Sequence, residues 1–460
     1  MIAFLTVDSQ LVARYNYKNG QLFRGGKSLK YQFRDPVHGF IEVSDDELRI
    51  INSAPFQRLR NIRQLGTTYL VYHGAEHTRF GHSLGVMHLT SRVFDSIIAK
   101  KPLLFCDSEK ENSKRIKWYR QILRLIGLTH DLGHAPFSHG AESLFLEGKE
   151  HEDFTKKIIC ETEIADYIKS IGRRYQSELG KKYNITPELL WMIYSGKDIV
   201  KKNFIMPDFL FLRSFMDGEL DCDKMDYLLR DSLYCGVSYG KYDLDRFIST
   251  LTACKTEDSL QLAVERGGVQ ALEEFVLARY FMFIQVYFHK TRRYLDKALV
   301  NSMKKILPGG FLPEKTEEYL LWDDNRVLSK IAESESIEAI DFRQRKIMTC
   351  VYESKPHSEK TDAVNAKIIY NILEKEFGAE NVIYDSVDKA AHALAPVIRD
   401  AKDDSGKGIM IFNEKTQQVT NLMEESLLLE SIVPLISINR IYATKEIADN
   451  VVQRIQESIK

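Results

Sequence analysis

"LTHDLGHAPFSH", residues 128–139, places His130, Asp131, His134 and His139 within twelve residues. It follows the apolar run "RQILRLIG" (120–127), so a titratable pair stands where a helix of nearly continuous apolar surface ends in the interior. A buried carboxylate costs several kcal/mol unless it is paired or binds a metal. His130 and Asp131 sit about 100° apart around a helix, yet at its end both can turn towards one cation. Imidazole nitrogen beside carboxylate oxygen suits Zn, Mn or Fe, and Mg where waters complete the shell. A core helix reaching its polar end would read the same way. Two ligands alone leave both readings open.

Further ligands must come from elsewhere in the chain. Eight of the 12 histidines (73, 77, 82, 88, 130, 134, 139, 151) crowd between 73 and 151. Each taken singly reads as a hydrogen-bonded core or surface histidine, but the crowding weakens that reading. In "AEHTRFGHSLGVMHL" (75–89), His82 begins a helix whose apolar face enters the core. In "ELDCDKMDYLLRD" (219–231), positions 223, 227 and 230 or 231 share one helical face, and Met225, Leu228 and Leu229 form a buried stripe on another.

The bulk composition bounds the rest. At 460 residues the chain can hold two or three domains, and 44% hydrophobic with 28% charged residues is ordinary globular composition. A formal net charge of -1 gives no global basic field, so neither nucleic acid nor a membrane surface is indicated as main partner. The six cysteines (106, 160, 222, 235, 254, 350) form no C-x-x-C pair and read as reduced thiols. The opening "MIAFLTV" is too short for a signal-peptide core, and no run approaches the roughly 18 apolar residues of a membrane helix. A cytoplasmic protein is expected.

A hairpin is expected over 11–24, turning at Asn19-Gly20, and a strand with a bend over "YQFRDPVHGFIEVS" (31–44). Helical periodicity follows, with acidic first-turn residues at 45 and a second start at Pro55, then helices over 82–100, 118–134, 221–234 and 271–303. Beyond about 340 the texture changes. "KIMTCVYES", "NVIYDSV" and "GIMIFNE" read as strands, and "KTDAVNAKIIYNILEKEF" (360–377) and "KEIADNVVQRIQESIK" (445–460) as amphipathic helices. The expected fold is mainly α: an N-terminal extension (1–30), a helical core (31–339) and a smaller C-terminal α+β domain (340–460) for oligomer contacts or regulation.

Taken together, His82, His130-Asp131 and Asp223 resemble the "H…HD…D" signature of the HD-domain phosphohydrolases. Within them the chain is most similar to the deoxynucleoside triphosphate triphosphohydrolases. "RDPVHGFIEV", "FQRLRNIRQLGTTYLVYHGAEHTRFGHSLGV", "HDLGHAPFSH" and "DCDKMDYLLRD" carry the resemblance, in order, over about 31 to 300. It implies a helical HD-domain core with His82, His130, Asp131 and Asp223 holding a divalent metal (Mg, Mn, Fe or Zn). It implies that His134, His139 and His151 surround the scissile bond, with His139 as general acid to the leaving 5′ oxygen. Arg79, Lys224 and Arg279 would grip the phosphates, and Tyr227 would pack under the sugar and reject a 2′-hydroxyl. Gln64 and Asp231 would read the 3′-hydroxyl, and Leu65 and Tyr287 would touch the base. The implied reaction is attack at the α-phosphorus of a dNTP, releasing deoxynucleoside and triphosphate, in chemistry that needs charge neutralisation and positioning above all.

The resemblance also implies a regulatory nucleotide site lined by Arg58, Arg60, His289 and Lys290, and a homo-oligomer, with a tetramer as the default. Two positions depart from nucleotide-activated relatives: Asn52 stands where an acidic residue would read guanine, and Tyr31 where a lysine is expected. The alternatives are another HD phosphohydrolase (a nucleotide phosphatase or nuclease), or a nucleotide-sensing or nucleic-acid-binding protein with an idle metal site.

Overall fold

The structure, a computed structural model, describes residues 31–196, 207–255, 260–357, 360–390, 409–431 and 435–459, with the backbone of 16–18, 21–24 and 27–28. It is mainly helical, with a helical core and a smaller α+β C-terminal region. At its centre the helices Arg79–Lys100 and Glu109–Thr129 cross. Gly127 lies at the crossing: a Cβ there would meet the Cα of Met87 at 3.1 Å. A larger residue would push the helices apart, so this glycine sets how closely His130 approaches the His82 helix.

A buried ion pair ties this helix pair to the N-terminal part of the core. Ser44 and Glu47 form a capping box that starts the helix Asp45–Ile51. Glu47 also receives the Arg124 guanidinium, Nε to Oε1 at 2.6 Å, while Arg124 Nη1 donates to Ser91 Oγ. Burial alone would raise the Glu47 carboxyl, but Arg124 outweighs it and holds it down at about 2.

The 118–134 expectation is half right. The helix starts earlier, at Glu109, and ends at Thr129. The chain then tightens, with Leu132 N–H donating to Thr129 O and His134 N–H to Asp131 O. Gly133 sits so close to the helix His151–Glu161 that a Cβ would lie 2.0 Å from His151 O and 2.3 Å from Thr155 N. Thr155 Oγ1 accepts from Gly133 N–H and donates to His130 O. Phe137 and Ser138, with φ of 60° and 54°, complete the turn in the left-handed region, which costs on the order of 1–3 kcal/mol for a non-glycine residue and is held by surrounding structure. Here Asp324 Oδ1 accepts from Phe137 N–H at 2.7 Å, and Ser138 Oγ donates to Arg63 O at 2.6 Å.

Two other expectations change. Residues 31–44 form an antiparallel hairpin, Tyr31–Asp35 with Gly39–Val43, in place of one bent strand. Asp35 Oδ1 accepts from the backbone N–H of Val37 and His38, which closes the turn. The expected helix over 271–303 is two: Val269–Met282 runs into a π turn, Phe283–Tyr287, and the chain restarts as Lys290–Ile306 with His289 as N-cap. The strands Asn16–Lys18 and Gln21–Arg24 pair as the expected hairpin, Lys18 opposite Gln21. Asn19, Gly20 and the opening apolar stretch lie outside the described residues.

The C-terminal sheet is antiparallel, with Leu435–Ala443 between Thr349–Glu353 and Val382–Ala390. The helices Lys360–Phe377 and Ala448–Ile459 pack on it through Leu373, Val451 and Ile455. This region is tied into the core. Arg293 Nη2 pairs with buried Asp385 at 2.8 Å, and the strand Met410–Asn413 lies parallel to Leu260–Glu265 in one sheet with Leu251–Lys255 and Gln418–Asn421. The six cysteines are free, and among the described residues no helix is long and apolar enough to cross a membrane.

Gly133→Ala should cost about 1–3 kcal/mol by overpacking against the His151 helix, read as a lower midpoint in thermal unfolding. An unchanged midpoint would mean that the contact relaxes freely.

Candidate metal centre and active site

The end of the Glu109–Thr129 helix, the start of the Arg79–Lys100 helix and the helix Cys222–Cys235 converge on one point. His82 is fully buried there. Its Nε2 is 2.9 Å from Asp223 Oδ1 and 3.6 Å from Asp131 Oδ2. His130 Nε2 is 3.3 Å from Asp131 Oδ1 and 3.9 Å from Asp223 Oδ1. Neither Nε2 has an aligned hydrogen-bond partner. The other ring nitrogens are engaged: His82 Nδ1 faces Asp226 Oδ2 at 2.8 Å, and His130 Nδ1 faces Gly127 O at 2.8 Å. A carboxylate or carbonyl only accepts, so each Nδ1 donates, and a cation taking the place of any proton on Nε2 would meet the Nε2 lone pair.

The electrostatics point the same way. Burial lowers the basicity of His82, but the close carboxylates of Asp223 and Asp226 and the charge of Asp131 pull it up to about 10. Three carboxylates around one buried imidazole call for a positive charge, which a proton or a metal cation meets. Burial likewise opposes ionisation of Asp131, yet Arg79 and the neighbouring imidazoles hold it well below the usual carboxylate range. His82, His130 and Asp131 present donor atoms within 4.8 Å of one another, and Asp223 joins them through its contact with His82. Orphaned imidazole nitrogens beside carboxylate oxygens fit a divalent metal.

A second cluster lies one turn further on. His134 stacks on His151 with ring centroids 4.0 Å apart, and His139 meets both rings edge-on. Glu142 Oε1 is 2.9 Å from His139 Nδ1 and 2.7 Å from His151 Nδ1. Burial, Arg79 and His151 hold His134 well below the ordinary histidine value, so its ring is neutral at neutral pH. Burial would lower His151 too, but Glu142 raises it. His134 Nε2 lies 3.2 Å from Asp131 Oδ1, which joins the two clusters. His139 has 60% of its side chain exposed, and it is the histidine of this group open to solvent.

The other expected residues fall into three groups. Tyr227 and Tyr287 meet edge-on at 6.1 Å, and the Tyr287 hydroxyl donates to Asp231 Oδ2 at 2.7 Å. Asp231 Oδ1 also takes His77 Nε2 at 2.7 Å. Arg279 is buried, stacks over Phe283, and its charge acts on Tyr227. Gln64 and Leu65 are buried, and Gln64 Oε1 lacks a hydrogen-bond partner. Two cations are tied to carboxylates. Arg79 Nη1 donates to Asp131 Oδ2 at 2.7 Å, and Lys224 Nζ pairs with Asp221. The four residues expected at a regulatory site do not share one environment. The Arg58 guanidinium is buried and donates to Trp322 O, Leu132 O and His134 O, beneath the HD turn. Arg60 stacks 3.5 Å over Phe80. His289 caps its helix, and Lys290 lines a cavity of about 250 Å³ with Thr291, Met348, Thr349, Cys350 and Tyr442.

Sequence reasoning missed Asp226, His38, Asp35 and Glu142. Asp226 bonds His82 and is itself held by Arg230 (Nε to Oδ2, 2.8 Å) and His38 (Nε2 to Oδ1, 2.6 Å), with Asp35 closing the network on Arg230 at 2.8 Å. Its signal was the spacing: Asp226 lies three residues after Asp223, on the same helix. Glu142 follows His139 by three within the turn Ser138–Leu144. Asp226→Asn should weaken divalent-metal affinity about 10–100-fold by loosening His82, measured by titration with Mn²⁺. Asp35→Asn, which spares His82, serves as the comparison. Equal affinities for the two variants would remove Asp226 from that role.

Similarity to known proteins falls on the same segments. The HD domain family matches residues 79–190, and the HD associated region matches 242–387. The crystal structure of a hypothetical protein from Aquifex aeolicus is similar at TM-score 0.73 and 32% identity, covering 93% of this chain and 100% of that one. The uncharacterized protein YwfO of Bacillus subtilis is 35% identical over 63% of this chain and 58% of its own length. The deoxynucleoside triphosphate triphosphohydrolase SAMHD1 of Homo sapiens is 27% identical over 76% of this chain and 52% of its own. The chain thus spans a little over half the length of these curated relatives. By matched segments and by the convergence of His82 with the HD pair, the chain belongs to the HD-domain phosphohydrolase family.

Proposed function

We propose that this protein hydrolyses deoxynucleoside triphosphates at the α-phosphorus, giving deoxynucleoside and inorganic triphosphate. The observation that carries the reading is the pairing of two neighbouring clusters with different tasks: a buried His–Asp centre fit for a cation, and an accessible His139 backed by Glu142. The similarity to SAMHD1, a deoxynucleoside triphosphate triphosphohydrolase, supports the substrate class.

His82, His130, Asp131 and Asp223 would hold the divalent metal, which supplies Lewis acidity and offsets phosphate charge when bound. Arg79 keeps Asp131 ionised and adds a cation at the edge of the phosphates. Lys224 turns from Asp221 to a phosphate oxygen, and Arg279 supplies a further charge beside Tyr227. Water attacks the α-phosphorus, the bond from phosphorus to the 5′ oxygen breaks, and His139 gives its proton to that oxygen. Glu142 holds the His139 ring through Nδ1, leaving Nε2 for the transfer. The neutral His134, stacked on His151, forms the wall behind it.

The sugar side follows from size and hydrogen bonding. The Tyr227 ring packs beneath the deoxyribose and leaves no room for a 2′-hydroxyl, while Asp231 and Gln64 bind the 3′-hydroxyl. Leu65 and Tyr287 make apolar contact with the base, which tolerates several bases. The reading extends to a regulatory nucleotide near Lys290 and to a homotetramer.

Purified protein incubated with each dNTP and rNTP, singly and in pairs, with Mg²⁺ or Mn²⁺, should release inorganic triphosphate from dNTPs alone. Pyrophosphate with a nucleoside monophosphate, or no turnover under any pairing, would sink the proposal. Asp223→Ala should abolish metal-dependent turnover with the circular dichroism spectrum unchanged. Retained turnover removes Asp223 from the ligand set.

A further inference from the structure

One of the crowded histidines, His77, takes no part in either histidine cluster, yet it is buried. It lies just before the Arg79–Lys100 helix, in a segment that pairs with residues 62–64. Gln64 N–H donates to His77 O at 3.0 Å and Arg79 N–H to Ile62 O at 2.9 Å, with Arg63 and Thr78 bridged antiparallel between them. The His77 ring reaches the end of the helix Cys222–Cys235. It stacks on Tyr234 at 4.6 Å, and its Nε2 lies 2.7 Å from Asp231 Oδ1. Asp231 and Tyr234 are three apart and so share one face of that helix. Gly74 permits the approach, because a Cβ there would lie 2.5 Å from Tyr234 O.

One residue thus holds two others. The carbonyl of His77 fixes the backbone of Gln64, and its ring holds the carboxylate of Asp231. A carboxylate only accepts, so Nε2 is the donor. With the Tyr287 hydroxyl on Oδ2 at 2.7 Å, both oxygens of Asp231 are fixed in place, and each keeps a lone pair to spare. Two buried atoms of this junction, His77 Nδ1 and Gln64 Oε1, have no hydrogen-bond partner. Buried polar atoms are seldom left so, and a ligand rich in hydrogen-bonding groups would complete them.

We propose that His77 is the positioning residue of the 3′-hydroxyl subsite: it donates from Nε2 to Asp231 and fixes the carboxylate that reads the sugar hydroxyl. The assignment rests on the reading of this protein as a dNTP hydrolase. His77 acts through Asp231 and Gln64, away from the reacting atoms and the metal ligands.

The test compares hydrolysis of a dNTP with that of the matching 2′,3′-dideoxynucleoside triphosphate in the presence of Mn²⁺. The wild-type kcat/KM should favour the dNTP by about 10–100-fold, the worth of a hydrogen bond to a charged group. His77→Leu should lower that preference about tenfold, mainly by raising KM for the dNTP, with Mn²⁺ affinity unchanged. His77→Gln, whose amide nitrogen can stand in for Nε2, should restore most of it. His77→Asn, too short to reach Asp231, should resemble His77→Leu and replaces it where the leucine variant does not fold. A loss of stability alone would lower kcat for both substrates and leave the preference as it was. An unchanged preference in His77→Leu and His77→Asn, or no recovery in His77→Gln, would overturn the role of His77 and leave the dNTP reading standing. A wild-type chain that turns over the two substrates equally well would remove the subsite and the assignment together. One that turns over no dNTP would remove the reading on which both rest.

Discussion

One buried imidazole surrounded by three carboxylates organises the centre of this molecule. His82 lies against Asp223, Asp131 and Asp226, with Asp131 held from behind by Arg79 and Asp226 by Arg230 and His38. Burying so much negative charge is costly unless it is compensated. Arg79 and Arg230 do part of that, from opposite sides. The packing obeys the same demand. A Cβ on Gly85 would lie 1.9 Å from Asp226 Oδ1, so only glycine on that helix face lets the carboxylate reach His82 Nδ1. Gly81 leaves room for Arg230, where a Cβ would stand 3.3 Å from Nη1. The letters "GHSLG" thus read as two small residues flanking His82.

The turn after the HD pair performs the second task. It must leave the helix abruptly enough that His134 and His139 face away from the His82 centre while Asp131 still faces it. Gly133 pressed on the His151 helix, together with left-handed backbone at Phe137 and Ser138, achieves that reversal within five residues of Gly133. Arg58 supports it from below by donating to the carbonyls of Leu132 and His134. A residue expected from resemblance at a regulatory surface is, in this conformation, a brace for the HD turn.

The sequence made the centre legible to the extent that residue type and spacing carried it. His130-Asp131 at the end of an apolar run, and Asp223 on a helix of unusual polarity, announce themselves because such groups are rarely buried without cause. Asp226, His38 and Glu142 do not. A helix bearing Asp, Lys, Asp and Arg at 223, 224, 226 and 230 looks solvated on one side, and nothing local says that Arg230 and Asp226 are buried. Their partners, Asp35 and His38, come from a hairpin nearly 190 residues away in sequence, a distance periodicity does not span. The helix break at 283–289 was hidden for another reason. "YFMFIQVYF" is apolar all round, so the pattern is satisfied whether the backbone continues as α or opens into a π turn.

The parallel pairing of Met410–Asn413 with Leu260–Glu265 bears on how the chain is made. A strand from the body of the molecule gains its neighbour only after some 145 further residues have been synthesised. Until then Leu260–Glu265 has one side of its hydrogen-bonding groups open, in a segment where Leu260, Ala263 and Val264 are destined for the interior. Such an edge invites pairing with a neighbouring chain, and closing so long a loop is slow. On the ribosome, the HD helices can assemble early while the sheet beside them waits. A nascent chain at that stage would be locally complete at its His–Asp centre and still adhesive at its flank.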